Sequence, residues 1–211
     1  MKHEYKHFSE LKEKMRLVVC AHNKILKDDM SNGALAYVTK SGSACYKIFT
    51  SEFCRGHSFL MHEIGHILFG HLRFEDSTSG QVYDKLMGAW RRFSKYISYS
   101  AKNEDRTMLS LIALLKNYAM DMEVNSKIFD KDEKDFLIED MNRAEYKLLL
   151  YIAQNRLPGH GDAFRRLGRY NYARRTNPKA TIVTPVFPET YGFPRGLSWN
   201  QYIDLIILAP D

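Results

Sequence analysis

The chain has 211 residues, 45% of them hydrophobic, 13% aromatic and 27% charged, enough for one globular domain with a sizeable core and no need of cross-links. Its longest apolar runs, at 148–153 and 205–209, fall far short of the ~18 residues that cross a bilayer, so no membrane partner is expected. The net charge of +6 is local: Arg156, Arg165, Arg166, Arg169, Arg174, Arg175 and Lys179 face a single acid, Asp162, and the rest of the chain is neutral.

The N-terminus carries charges with no apolar segment behind them, which reads as a chain without a secretory signal and with a cytoplasmic location. Cys20, Cys45 and Cys54 are odd in number and form no CxxC, which argues against a disulfide framework and against a thiolate zinc site.

Residues 9–27 place Leu11, Met15, Val18, Val19, Ile25 and Leu26 at the spacing of an amphipathic helix, with a gap at His22. Residues 34–39 and 44–50 are rich in strand formers and flank the turn Lys40-Ser41-Gly42-Ser43, which predicts a β-hairpin. A helix is expected from Ser58, its N-cap, to about Arg73, and further helices over 81–93, 107–129, 139–155 and 199–208, the last capped by Ser198. Residues 94–106 are polar and carry no clear period. After Leu157-Pro158-Gly159 the prolines and glycines interrupt regular structure, so a single domain over 1–211 is expected to become less regular, basic and Pro-rich from about 156.

The chemistry lies in Phe59-Leu60-Met61-His62-Glu63-Ile64-Gly65-His66-Ile67-Leu68. His62 and His66 are one helical turn apart, so both imidazoles leave one face and can hold a single zinc ion. Glu63 beside them is placed to take a proton as water attacks a carbonyl and to return it to the leaving amine. Phe59, Leu60, Ile64, Ile67 and Leu68 are expected to bury the rest of the helix.

A third ligand must come from elsewhere. An HExxHxxGxxH site would need Gly at 69 and His at 72, where the chain has Phe69 and Leu72. A glutamate 19 to 20 residues after His66 would fall on Lys85 or Leu86. His71 lies half a turn off the ligand face and would ligate only if the helix broke at Gly70; otherwise it packs in the core or behind the site. On the long helix Leu111, Leu114, Leu115, Tyr118, Met122, Ile128 and Phe129 form an apolar stripe that also takes in Asp121 and Asn125. A carboxylate on a core-facing stripe is costly unless it is paired or binds metal, so Asp121 is the expected ligand, with a salt bridge to a buried Arg or His as the structural alternative. Glu123 shares a face with Lys116 and Lys127 and is expected in solvent.

His62-Glu63-Ile64-Gly65-His66-Ile67-Leu68-Phe69-Gly70-His71, followed by Asn117-Tyr118-Ala119-Met120-Asp121-Met122-Glu123-Val124-Asn125 and by the tail Phe187-Pro188-Glu189-Thr190-Tyr191-Gly192-Phe193-Pro194 running on to Tyr202, resembles the zincin-type metallopeptidase domain of bacteria and phages that often precedes a VWA-like domain. The pattern there is HExxHxxxxH, then N-x-A-x-D-x-x-x-N, then a Pro-rich tail and a short helix. The resemblance implies an α+β, mostly helical zincin-like fold with a small β-sheet or hairpin before the HExxH helix, with His62, His66 and Asp121 on Zn2+ and Glu63 as the base. It also implies a protein or peptide substrate lying along the strand at 44–50 as a sheet edge. The alternative function is a zinc-stabilised, catalytically degenerate binding protein whose segment from Arg165 to Lys179, interleaved with Tyr170 and Tyr172, engages nucleic acid or an acidic partner; a merely solvated segment is the plainer reading of the same residues.

Overall fold

The pattern of the chain is realised as six α-helices and a small sheet among the described residues, which in this computed structural model are 16–21, 36–41, 45–50, 53, 57–72, 80–96, 104–155 and 161–209. Three strands, β1 (Arg16–Ala21), β2 (Ala36–Ser41) and β3 (Cys45–Thr50), form a sheet in the order β1-β3-β2. β2 and β3 run antiparallel, Ala36 opposite Thr50 and Ser41 opposite Cys45, which is the pairing expected of a hairpin. β1 lies parallel to β3, from Arg16 opposite Cys45 to Ala21 opposite Thr50.

Two expectations are corrected here. Residues 16–21 form a strand, not part of a helix over 9–27; the contiguous Leu17, Val18 and Val19 suit a paired strand, and the helical template already had to skip His22. The rest of that predicted helix lies outside the described residues. The strand at 44–50 is also not a sheet edge, because β3 is paired on both sides.

The helices are α1 (His57–Leu68), α2 (Gly80–Phe93), α3 (Glu104–Ile128), α4 (Lys131–Asn155), α5 (Gly161–Thr176) and α6 (Trp199–Leu208). A 3-10 turn, Ser94–Tyr96, follows α2 and another, Pro188–Tyr191, precedes α6. α5 corrects the expected loss of regular structure after residue 159. Its sixteen residues contain no proline, and Ala163 and Leu167, one turn apart, face the core; the disruptive prolines start at Pro178. None of the described helices is long and apolar enough to cross a membrane.

The chain divides into two compact units, residues 1–67 with 131–185 and residues 68–130 with 186–211. In the first, Phe59 of α1 packs with Ala144, Leu148, Leu149 and Ile152 of α4 and Ala163 of α5. The hydroxyl of Ser58, expected as an N-cap, lies inside the first turn of α1 and donates to the Asp140 carboxylate of α4. Asn142 of α4 acts as a side-chain substitute for a strand: its Oδ1 accepts from Ile182 N at 2.5 Å and its Nδ2 donates to Val183 O at 2.8 Å.

In the second unit Leu86 of α2, Ala119 and Met122 of α3 and Trp199, Tyr202 and Ile203 of α6 make the core. Lys85 and Asp204 pair at 2.7 Å, and the Arg92 guanidinium donates to the carbonyls of Ile207 and Ala209 at the end of α6, where the helix dipole favours a cation. The α6 start is as expected: Ser198 N–H donates to Gln201 Oε1 at 2.9 Å, a reciprocal cap. α3 departs from its expected stripe in its first half, since Leu114 and Tyr118 are exposed, while every residue from Met122 to Ser126 is buried.

Candidate metal centre

α1 is built to hold its two histidines steady. Phe59, Met61, Ile64 and Ile67 are at most 6% exposed, so packing fixes the helix and leaves a histidine pair one turn apart on a common face. Leu68, expected to help bury the helix, is instead exposed. The Nε2 atoms of His62 and His66 are 3.2 Å apart, with rings nearly perpendicular and centroids 4.9 Å apart. Two ligand atoms on one tetrahedral zinc ion, each at ~2.0 to 2.1 Å, stand about 3.3 Å from one another; the histidine pair already has that span. Glu63, the next residue along, is 6% exposed.

One ligand atom from each of His62, His66 and Asp121 lies within 4.8 Å of the other two, a group that could hold a metal ion. His66 is buried and His62 and Asp121 are half-buried. Two imidazole nitrogens and a carboxylate oxygen are a donor set suited to zinc, which takes a water or substrate as its fourth ligand in catalytic sites. On α3, Asn117 Nδ2 donates to Asp121 Oδ2 at 3.2 Å, one turn earlier, and orients the carboxylate.

α1 ends at Leu68, and Gly70 sits at φ +74°, the left-handed conformation that closes a helix and that glycine adopts without strain. The helix therefore does break where His71 would need it to. His71 is nevertheless engaged by another acid: it is buried, and its Nε2–H donates to Glu123 Oε2 at 3.1 Å. This is the core position foreseen for it.

Glu123 corrects the expectation of a solvated residue. It is 5% exposed and accepts from Lys127 Nζ at 2.6 Å and from the backbone N–H of Trp199 at 2.8 Å as well as from His71. Burial alone raises its carboxyl pKa and is the largest single influence, yet the hydrogen bonds from His71, Lys127 and Trp199, with the Lys127 charge, together hold it below the ordinary glutamate value. The periodicity of α3 gave no warning, because the Glu123 and Lys127 pair has the spacing of a surface ion pair.

Asn125 is 1% exposed and its Nδ2 donates to Val186 O at 2.9 Å, so it binds the C-terminal tail to α3. Arg195, which the sequence did not single out, closes the same end. Its guanidinium donates to the carbonyls of Phe129 and of Ser126, the latter at 3.0 Å, and pairs with Glu189. Tyr202 Oη donates to Pro194 O at 2.9 Å and reaches Ser126 Oγ at 3.2 Å. The tail from Phe187 to Tyr202 thus locks the helix that carries Asp121. Compared with protein families, characterised proteins and solved structures, the chain matches none.

Proposed function

We propose that this chain is a zinc-dependent metallopeptidase of the zincin type. The observation that carries the reading is the convergence of His62, His66 and Asp121 with Glu63 next to the first ligand on a buried helix. His62, His66 and Asp121 would hold the ion, which when bound supplies Lewis acidity for attack of water on a peptide carbonyl. Glu63 accepts the proton of the attacking water and delivers it to the departing amine, acting first as base and then as acid. Its burial keeps bulk water from competing for that proton. An extended substrate would pair through its main chain with an edge of the sheet, which leaves β1 or β2 and excludes β3.

The test combines metal content of the purified chain with hydrolysis of an unstructured protein substrate. About one zinc per chain and cleavage that a chelator abolishes support the reading. Absence of bound metal after purification and zinc addition overturns it.

A further inference from the structure

The basic segment has a structured outer face that the peptidase reading does not use. On α5, Arg166 is committed inward, its guanidinium paired with the buried Glu145 of α4. Arg165, Arg169 and Arg175 are exposed; Arg165 and Arg169 lie on the side of the helix away from Ala163 and Leu167, and Arg175 lies about 80° round from Arg165. Arg165 also pairs with the exposed Asp162 at 3.1 Å, a solvated contact that a phosphate can replace. Tyr172, 71% exposed, stands among these arginines, and Phe164, 53% exposed, flanks the face on the side nearer Leu167. Gly168, at the middle of the face, has nothing within 4 Å of the position its Cβ would occupy, so packing does not demand a glycine, which weakens a helix interior relative to alanine. What it provides is a gap in which a ligand can reach the helix backbone between the arginines.

We propose that this face of α5 binds single-stranded nucleic acid. Three arginines along about 15 Å of helix supply cations for successive phosphates, and the exposed rings, Tyr172 above all, supply stacking surfaces for unpaired bases. A solvated face has no need of the rings, and a purely acidic protein partner would use the charges and leave the rings idle. RNA and DNA single strands present the same phosphate and base chemistry.

The experiment is fluorescence anisotropy with labelled 20-nucleotide RNA and DNA strands of mixed sequence, on the full chain. With three phosphate contacts and a slope of about −0.7 per contact, affinity should fall roughly twentyfold between 50 and 200 mM salt. Replacing Arg165, Arg169 and Arg175 together by Gln should abolish binding, and Tyr172→Ala should weaken it about tenfold. Both variants alter only exposed side chains, so their melting temperatures and metal content should equal those of the wild type. Binding to RNA alone, to DNA alone or to both supports the proposal and identifies the source. No binding at low salt, binding undiminished in the triple variant, or binding indifferent to Tyr172→Ala and displaced equally well by heparin, which has no bases to stack, overturns it. The metallopeptidase reading stands or falls separately, on metal content.

Discussion

The Nε2–H of His71 donates to the carboxylate of Glu123 at 3.1 Å, and the other demands on that carboxylate, from Lys127 and from the Trp199 N–H, make it the hub that joins the turn at His71, the end of α3 and the start of α6. Glu123→Gln removes the charge and turns one of its two acceptor oxygens into a donor, so at least one of the three buried donors loses its acceptor. Glu123→Gln should therefore cost about 3 kcal/mol, lowering the melting temperature by roughly 6 to 12 °C, measured with a chelator present so that metal binding does not contribute.

The same carboxylate predicts a pH dependence. Its pKa in the folded chain is below the ordinary glutamate value, so its contribution is complete above that ordinary value and is lost as pH falls through the folded one. Urea unfolding of wild type and Glu123→Gln, again with chelator, should give a stability difference that is constant near neutral pH and narrows progressively below about pH 4. A difference that grew on acidification would contradict the assignment.

In the proposed site Asp121 is the ligand that α3 would contribute. Asp121→Ala should lower metal content well below that of the wild type, and Asp121→His, which restores a ligand of another kind, should recover part of it. In the wild type, removing metal should lower the melting temperature, and zinc at a hundred times its dissociation constant should restore about 2.7 kcal/mol, roughly 5 to 11 °C. Undiminished metal in Asp121→Ala, read by elemental analysis, would transfer the third position to another residue.

Glu63 has a purely chemical role in the proposed mechanism. Glu63→Gln should reduce turnover at least about a hundredfold with metal content unchanged, as seen by parallel peptide cleavage and elemental analysis. Loss of the metal in this variant would mean that Glu63 holds the site together and does not act as the base.

Arg195 predicts a stability effect with no part in the proposed chemistry. It serves the last carbonyls of α3 and the Glu189 carboxylate at once, so Arg195→Ala should cost about 1 to 2 kcal/mol. Arg195→Lys, with no planar fork to span these acceptors, should recover only part of the loss. A thermal melt of the three proteins measures this directly.

The residues that spoke clearly in the sequence were those with local causes. The His62 and His66 spacing needs only a helix to converge, and Ser198 marked the start of α6 because an N-cap is a local signal; the part Gln201 plays in that cap shows only in the structure. β1 was illegible because Leu17, Val18 and Val19 satisfy a helical template nearly as well as an extended one, and only pairing with a strand some thirty residues later decides between them. Glu123 was misread for a related reason: its burial follows from Trp199 and His71, neither of which is visible from the periodicity of α3. α5 was obscured by the prolines that follow it. Asp121 does lie within reach of His62 and His66, although the apolar stripe used to locate it is partly in solvent at Leu114 and Tyr118.

The second unit is interrupted in sequence: residues 131–185 separate α3 from the tail that satisfies Glu123, Asn125 and the α3 carbonyls. These contacts span 61 to 76 residues, and loops of that length close only after their entropy has been overcome. During synthesis the α3 terminus therefore waits for residues 186–199 to leave the ribosome before its buried polar groups are met. The helix carrying Asp121 is thus completed late in folding, and a nascent or C-terminally clipped chain would bind metal poorly even with every ligand already made.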